Sequence, residues 1–164
     1  MGCGKSTVGK ILARIKNIPF IDLDQYIEIQ QNKSVTEIFS TGGELTFRKI
    51  EREALLHLIG EKSPAVIALG GGTPCYFDNM DKLIASPHAS FYLNASIPLL
   101  TSRLKAEKAQ RPLIAHLEND EALIEFIGKH LFERNSFYRK AKHILDIHEE
   151  TPAELADKIN NLLG

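Results

Sequence analysis

Short apolar runs alternate with longer amphipathic stretches along this chain, and that alternation sets the first expectation. Four brief runs read as strands: Phe20 to Asp24, Ala65 to Leu69, Ser90 to Leu93 and His143 to Asp146. Each ends at a polar or glycine-rich segment. Between them lie segments with apolar residues at helical spacing: Lys5 to Lys16, Ser34 to Glu61, Pro98 to Lys105, Asp120 to Lys142 and Pro152 to Leu163. Strands alternating with helices predict the α/β class, with a parallel sheet covered by helices on both faces. No repeat, linker or low-complexity tract divides the chain, so residues 1–164 are expected to form a single domain. The stretch from Ala106 to Asn119 has little periodicity and carries Gln110-Arg111-Pro112-Leu113, which makes it the candidate mobile loop, or lid.

The chain opens on Met1-Gly2-Cys3-Gly4-Lys5-Ser6-Thr7. A phosphate-binding loop reads G-x-x-x-x-G-K-[ST], and Gly4, Lys5 and Ser6 supply the end of that pattern while its first glycine would fall upstream of Met1. The loop leads into an apolar-periodic stretch, Val8, Ile11, Leu12 and Ile15, as the motif requires. In the functional reading Lys5 contacts the β- and γ-phosphates and Ser6 Oγ ligates Mg²⁺. Gly2 and Gly4 let the backbone, Cys3 and Thr7 included, curl around phosphate oxygens. In the plain reading this is a glycine-rich start with an ordinary Ser/Thr cap. Half a motif leaves both open.

Four further groups narrow the choice. Asp22 and Asp24, read as lying two residues apart at a strand's C-terminal end, would share one face where ligands collect in open α/β sheets. An Asp N-cap of the next helix would account for Asp24 but not for Asp22. In Leu45-Thr46-Phe47-Arg48-Lys49-Ile50-Glu51-Arg52, Arg48 and Glu51 are neighbours on one helix face. Such a pair is usually a solvated ion pair; alternatively, Arg48 grips a substrate carboxylate while Glu51 orients it. Gly70, Gly71 and Gly72 close a strand, one glycine more than a tight turn needs, which points to close approach of backbone to a small molecule. Arg111 in the mobile stretch and Arg134 on a long helix are each most often surface charges, yet a loop arginine can close over a transferring phosphoryl group. The six histidines form no metal-type cluster.

Composition excludes several classes. With 43% hydrophobic and 25% charged residues the chain can bury a substantial core. Twenty Lys/Arg against 21 Asp/Glu leave a formal net charge of −1, so no global field draws the molecule to nucleic acid or to an anionic membrane. Only Cys3 and Cys75 carry thiols, which fits free cysteines in a reducing compartment, the cytoplasm, rather than a disulfide framework. No apolar run approaches the roughly 20 residues needed to span a bilayer, and the N-terminus lacks the layout of a signal peptide.

Together, Gly2-Cys3-Gly4-Lys5-Ser6-Thr7, Asp22-Leu23-Asp24, Phe47-Arg48-Lys49-Ile50-Glu51, Gly70-Gly71-Gly72, Arg111-Pro112-Leu113 and Glu133-Arg134-Asn135-Ser136-Phe137-Tyr138 closely resemble shikimate kinase, in order and spacing, nearly end to end. The resemblance implies a three-layer P-loop kinase fold with a five-stranded parallel sheet, and transfer of the γ-phosphate of ATP to the 3-hydroxyl of shikimate in aromatic biosynthesis. It implies that Lys5 and Ser6 bind phosphate and Mg²⁺ and that Asp22 holds the metal through water. Asp24 would bind the shikimate hydroxyls and act as base. Arg48 and Arg134 would clamp the carboxylate, Gly70 to Gly72 would line the pocket, and Arg111 would serve as the lid residue. Arg103 and the segment from Glu149 to Pro152 are implied near adenine. The protein is expected to act on small molecules as a monomer. The rivals are gluconate kinase or another small-molecule kinase of this fold, and a nucleotide-binding module without catalysis; the latter has no reason to keep Asp24, Arg48 and Arg134 together. The family usually has an apolar strand entering the loop, so about ten further residues, mostly one strand of usual length, are expected upstream. Without them the sheet is expected to lose stability.

Overall fold

A computed structural model of the chain describes residues 2–107 and 112–164. Helix α1, Lys5–Lys16, runs from the glycine-rich loop and buries Val8, Gly9, Leu12 and Ala13 along one face. It ends at Asn17, whose left-handed backbone (φ 53°) closes the last turn. Strand β1, Phe20–Asp22, is shorter than the sequence suggests, because Asp22 turns the chain directly into α2, Leu23–Gln31. Strand β2, Val66–Ala68, pairs with β1 in parallel, with Ile21 opposite Ile67. Strand β3, Phe91–Ala95, pairs in parallel with β4, His143–Ile147, with Leu93 opposite Leu145. All four expected strands are present.

The long helix α3, Val35–Gly60, begins at a capping box in which the Ser34 backbone N–H donates to Glu37 Oε2 at 2.7 Å and the Glu37 N–H donates to Ser34 Oγ at 3.2 Å. It is not one continuous helix, as expected, but two segments broken at Gly43 (φ 72°, ψ 175°). A methyl group on Gly43 would meet nothing within 4 Å, so its backbone angle, rather than crowding, is what requires glycine there. Among the elements not evident in the sequence pattern are α2, a 3₁₀ turn at Thr73–Cys75, and the short helix α4, Asn79–Ala85. Helix α5, Ile97–Glu107, precedes α6, Pro112–Ala115, which lies within the stretch expected to be mobile; there Ile114 is fully buried. Helix α7 spans Asp120–Tyr138 and α8 spans Pro152–Leu163.

Two apolar cores form. The larger packs α1, α5, α7 and α8 with β3 and β4 through Leu93, Leu104, Leu123, Leu145 and Leu155. The smaller packs α2 and α3 through Leu23, Ile27, Phe47 and Leu58, with Ile21 and Ile67 against them. Helix α1 joins the halves: a Cβ on Gly9 would lie 2.7 Å from the Phe20 ring and 3.5 Å from Val66, so only glycine lets α1 settle on β1 and β2.

Among the described residues β2 pairs only with β1, and β3 only with β4. An apolar cleft of about 650 Å³ separates the half-sheets, walled by residues such as Leu12, Leu55, Val66, Ala68, Phe91 and Leu93. Unpaired strand edges facing such a space forgo both ladder hydrogen bonds and dispersion contacts. Joining an apolar strand-forming segment to the N-terminus, placed to enter this cleft, is expected to raise the thermal midpoint by about 2–8 °C, the response of a domain of this size to ~1–2 kcal/mol. Identical melting curves for the two forms would show that the cleft walls gain nothing from such a partner.

Candidate active site

The glycine-rich loop enters α1 through two left-handed residues, Gly2 (φ 76°) and Gly4 (φ 90°), and no side chain caps the helix. No acidic residue occupies the first turn, so the N–H groups and positive dipole end are left for an anion. A Cβ on Gly2 would sit 2.9 Å from Leu104, which is how closely the loop seats on α5. Lys5 and Ser6 are half-buried at the head of α1; Thr7, next to them, is exposed. Cys3 packs against the larger core, 4.0 Å from Lys5 Nζ.

Ser6 ties the loop to the end of β1, its hydroxyl donating to Asp22 Oδ2 at 3.0 Å. The other Asp22 oxygen accepts the Asp24 N–H at 3.2 Å and caps α2. Asp22 and Asp24 therefore do not share a strand face: Asp22 ends β1 and Asp24 lies in the first turn of α2. The cap is Asp22, not Asp24. A strand-to-helix turn brings the two together because Asp22 can stop the strand and satisfy the next N–H with one carboxylate. Burial pushes the Asp24 carboxyl up from its ordinary value of 3.8, with the Asp22 and Glu51 carboxylates adding to the rise and Lys5 opposing it.

Arg48 and Glu51 are not a solvated pair. Arg48 is 9% exposed and Glu51 1%. Arg48 Nη1 donates to Glu51 Oε2 at 2.8 Å, and Thr73 Oγ1 donates to Glu51 Oε1 at 2.6 Å. Glu51 thus fixes one side of the guanidinium.

Each glycine of the triplet makes room for a different side chain. A Cβ on Gly72 would lie 2.6 to 2.8 Å from the Arg48 guanidinium; on Gly71 it would lie 3.3 Å from Arg134 Nη1; and on Gly70, 3.2 Å from Glu51 Oε1 and 3.4 Å from Asp24 Oδ1. The close approach expected of this backbone is made by the protein's own charged groups. Arg134 shares the triplet with Tyr138, four residues on along α7, whose hydroxyl donates to the Gly71 carbonyl at 2.5 Å. Burial pushes the Tyr138 hydroxyl up to about 12, against the pull of Arg134, so it keeps the proton that it donates. Sequence reasoning missed Tyr138, Thr73, Glu44 and Tyr76; the spacing Arg134 to Tyr138, one helical turn, was the available signal for the first.

One region thus gathers Asp24, Arg48 and Arg134 around Gly70–Gly72, with Ser6 and Lys5 reaching it through Asp22 and the field on Asp24. Arg103 lies half-buried on α5 beside Leu104. In the segment expected near adenine, Glu150 accepts from Lys158 Nζ at 2.5 Å and Thr151 caps α8. Arg111 lies outside the described residues. No group of three or more His, Cys, Asp or Glu side chains able to hold a metal occurs among the described residues.

The family model for shikimate kinase matches residues 1–163. The chain belongs to the shikimate kinase family. It is 45% identical to the shikimate kinase of Flavobacterium johnsoniae over 164 residues, which is 100% of this chain and 95% of that protein. Against the shikimate kinase of Flavobacterium psychrophilum it is 42% identical, covering 99% of this chain and 94% of the other. The crystal structure of shikimate kinase from Bacteroides thetaiotaomicron superposes with a TM-score of 0.88 at 35% identity, over 99% of this chain and 93% of that one. A shikimate kinase from Acinetobacter baumannii in complex with shikimate superposes with a TM-score of 0.84 at 32% identity, over 99% and 88%. These likenesses establish the expected α/β P-loop kinase fold and favour shikimate kinase over gluconate kinase or a module without catalysis. Membership also implies ATP as the co-substrate.

The contact between Gly72 and Arg48 is specific enough to test. Gly72→Ala would drive a methyl group into the guanidinium that Glu51 holds, and is expected to lower stability by about 1–3 kcal/mol, as overpacking does. A thermal melt matching the parent's would show that Arg48 can yield without cost.

Proposed function

We infer that this protein transfers the γ-phosphoryl group of ATP to the 3-hydroxyl of shikimate, giving shikimate 3-phosphate. The observation that carries this reading is the convergence on Gly70–Gly72 of one carboxylate, Asp24, and two guanidinium groups, Arg48 and Arg134, beside a phosphate-type loop. A small anionic polyol calls for that set: cations for its carboxylate and an acceptor for its hydroxyls.

In this reading Arg48 and Arg134 bind the shikimate carboxylate, and Asp24 accepts the proton of the attacking hydroxyl. Phosphoryl transfer asks little covalent chemistry of the protein, so positioning and charge carry most of the rate. Lys5 and the backbone from Gly2 to Thr7 hold the ATP phosphates, with Arg103 near the nucleotide and Arg111 assigned as the lid cation on the family resemblance alone. The bond between Ser6 Oγ and Asp22 Oδ2 places a hydroxyl and a carboxylate oxygen side by side. Hard oxygen donors of this kind suit Mg²⁺, which needs only one or two protein ligands when phosphates supply the others. When bound, Mg²⁺ neutralises charge on the phosphate oxygens. The reading takes the protein as a cytoplasmic monomer without nucleic-acid or membrane partners; its net charge of −1 and its two free cysteines support that, and no described helix is long and apolar enough to cross a membrane.

The decisive experiment is ATP consumption with shikimate and, separately, with gluconate. Asp24→Asn is expected to lower kcat by about 10²–10⁴-fold, the scale of lost general-base help. Arg48→Ala is expected to weaken shikimate binding and spare ATP. Parental turnover in both variants would defeat the assignment.

The raised Asp24 carboxyl adds a pH test. A base must be ionised to work, and a raised value moves half-ionisation upward, so activity should climb with pH through a limb above 3.8. Because kcat/KM reports the free enzyme, its acidic limb should carry this group and vanish in Asp24→Asn. An unchanged limb in the variant would place the titrating group elsewhere.

A further inference from the structure

The Arg48 guanidinium is held on one side only by buried partners. Nη1 goes to Glu51, whose other oxygen is taken by Thr73. Nη2 goes to Glu44 Oε1 at 3.3 Å, and the Glu44 side chain is 55% exposed. The same Glu44 oxygen accepts the Tyr76 hydroxyl at 2.5 Å, while the Tyr76 ring lies 4.2 Å from Arg48 Cζ. Arg48 Nε is buried and has no partner. Nε and Nη2 form one edge of the planar guanidinium, the edge that a carboxylate grips with two parallel bonds. Glu44 occupies half of that edge with a single long contact and leaves the other half empty.

Glu44 also follows Gly43, where α3 breaks, so the residue beginning the second helical segment carries this carboxylate. The hydrogen bond from the neutral Tyr76 hydroxyl, then Arg48 and, more weakly, the charge of Arg134 hold its carboxyl below the usual range against the opposing effect of burial. Facing it are thus both arginines that the proposed function gives to the substrate carboxylate.

We propose that Glu44 is an internal stand-in for the substrate carboxylate: steadied by Tyr76, it occupies Arg48 Nη2 in the ligand-free protein and is displaced when a substrate carboxylate takes the Nε–Nη2 edge. Glu44 and Tyr76 are then specificity-setting residues. They keep Arg48 aligned when empty and raise the affinity that an incoming carboxylate must show. An exposed pair at 3.3 Å is weak, and a bidentate charge-assisted pair is stronger, so the exchange runs toward substrate. The inference rests on the reading of Arg48 as the carboxylate's partner.

The test uses the full chain, with Kd for shikimate and for its methyl ester measured by calorimetry, and KM for shikimate and ATP measured kinetically. Glu44→Gln removes the competing charge and should tighten shikimate binding about two- to fivefold, the scale of one exposed ion pair. KM for shikimate should fall with it and KM for ATP should not. Tyr76→Phe, which frees Glu44 from its anchor, should move shikimate binding the same way by less. Binding of the methyl ester, which has no carboxylate to compete, should be the same in Glu44→Gln as in the parent. Weaker or unchanged shikimate binding in Glu44→Gln, with Arg48→Ala weakening it as expected, would overturn this inference alone. Unaltered shikimate binding in Arg48→Ala would overturn the reading beneath it as well.

Discussion

Glu51, with 1% of its surface exposed, cannot stand in the interior as an unpaired charge, and the rest of the site is arranged around how it is paired. One oxygen takes Arg48 Nη1 and the other takes the Thr73 hydroxyl. The first bond pins a guanidinium that a four-bond stem would otherwise leave free. The second fixes the turn that follows the glycine triplet, since Thr73 opens the 3₁₀ turn and its carbonyl accepts from the buried Asn79 amide at 2.8 Å. Two long-range constraints thus meet at one carboxylate. Gly70 and Gly72 are consequences of it: with Glu51 and Arg48 held in place, the backbone ending β2 can pass only where it carries no Cβ.

Asp24 bears a cost of the same arrangement. Burial raises its carboxyl most, and the nearby Asp22 and Glu51 carboxylates add to the rise, so folding favours the protonated Asp24. For a group whose folded value is raised, the stability it contributes is present at low pH and is lost as pH rises through that value. Once ionised, Asp24 therefore works against the fold. A carboxylate with a raised value beside a phosphate-type loop is a candidate functional group, and Lys5 tempers the cost from the other side.

Much of this could be read from the order of residues, and the exceptions have physical causes. All four strands were legible because buried parallel strands are short apolar runs, and α1 and α8 were legible because their apolar faces are periodic. Helix α2 was hidden: its first residues, Leu23 and Asp24, continue the apolar–polar alternation of β1, and nothing local shows that Asp22 will cap rather than extend. The break at Gly43 was hidden because the pair Gly42-Gly43 sits inside an otherwise helical pattern, and only backbone angles reveal which glycine carries the left-handed turn. Arg48 and Glu51 were recognisable as neighbours but not as buried ones. Their burial depends on Thr73 and Gly70, 22 and 19 residues beyond Glu51, and pairing at that range leaves no mark on helical periodicity.

The site also spans the division in the sheet. Asp24, Arg48 and the glycine triplet stand on the half built from β1, β2 and the smaller core. Arg134 and Tyr138 stand on α7, whose Leu123 and Ile127 belong to the larger core with β3 and β4. Across the cleft, α1 seats against Phe20 and Val66, and the Tyr138 hydroxyl reaches the Gly71 carbonyl. The separation of the two guanidinium groups is therefore set by how the halves meet rather than by either half alone. A Cβ on Gly71 would meet Arg134 and one on Gly72 would meet Arg48, so both guanidinium groups are positioned against the same short stretch of backbone. Packing along the apolar cleft and the spacing of the charged groups at its rim are in this way linked, and the bond from the Tyr138 hydroxyl to the Gly71 carbonyl is where the two meet.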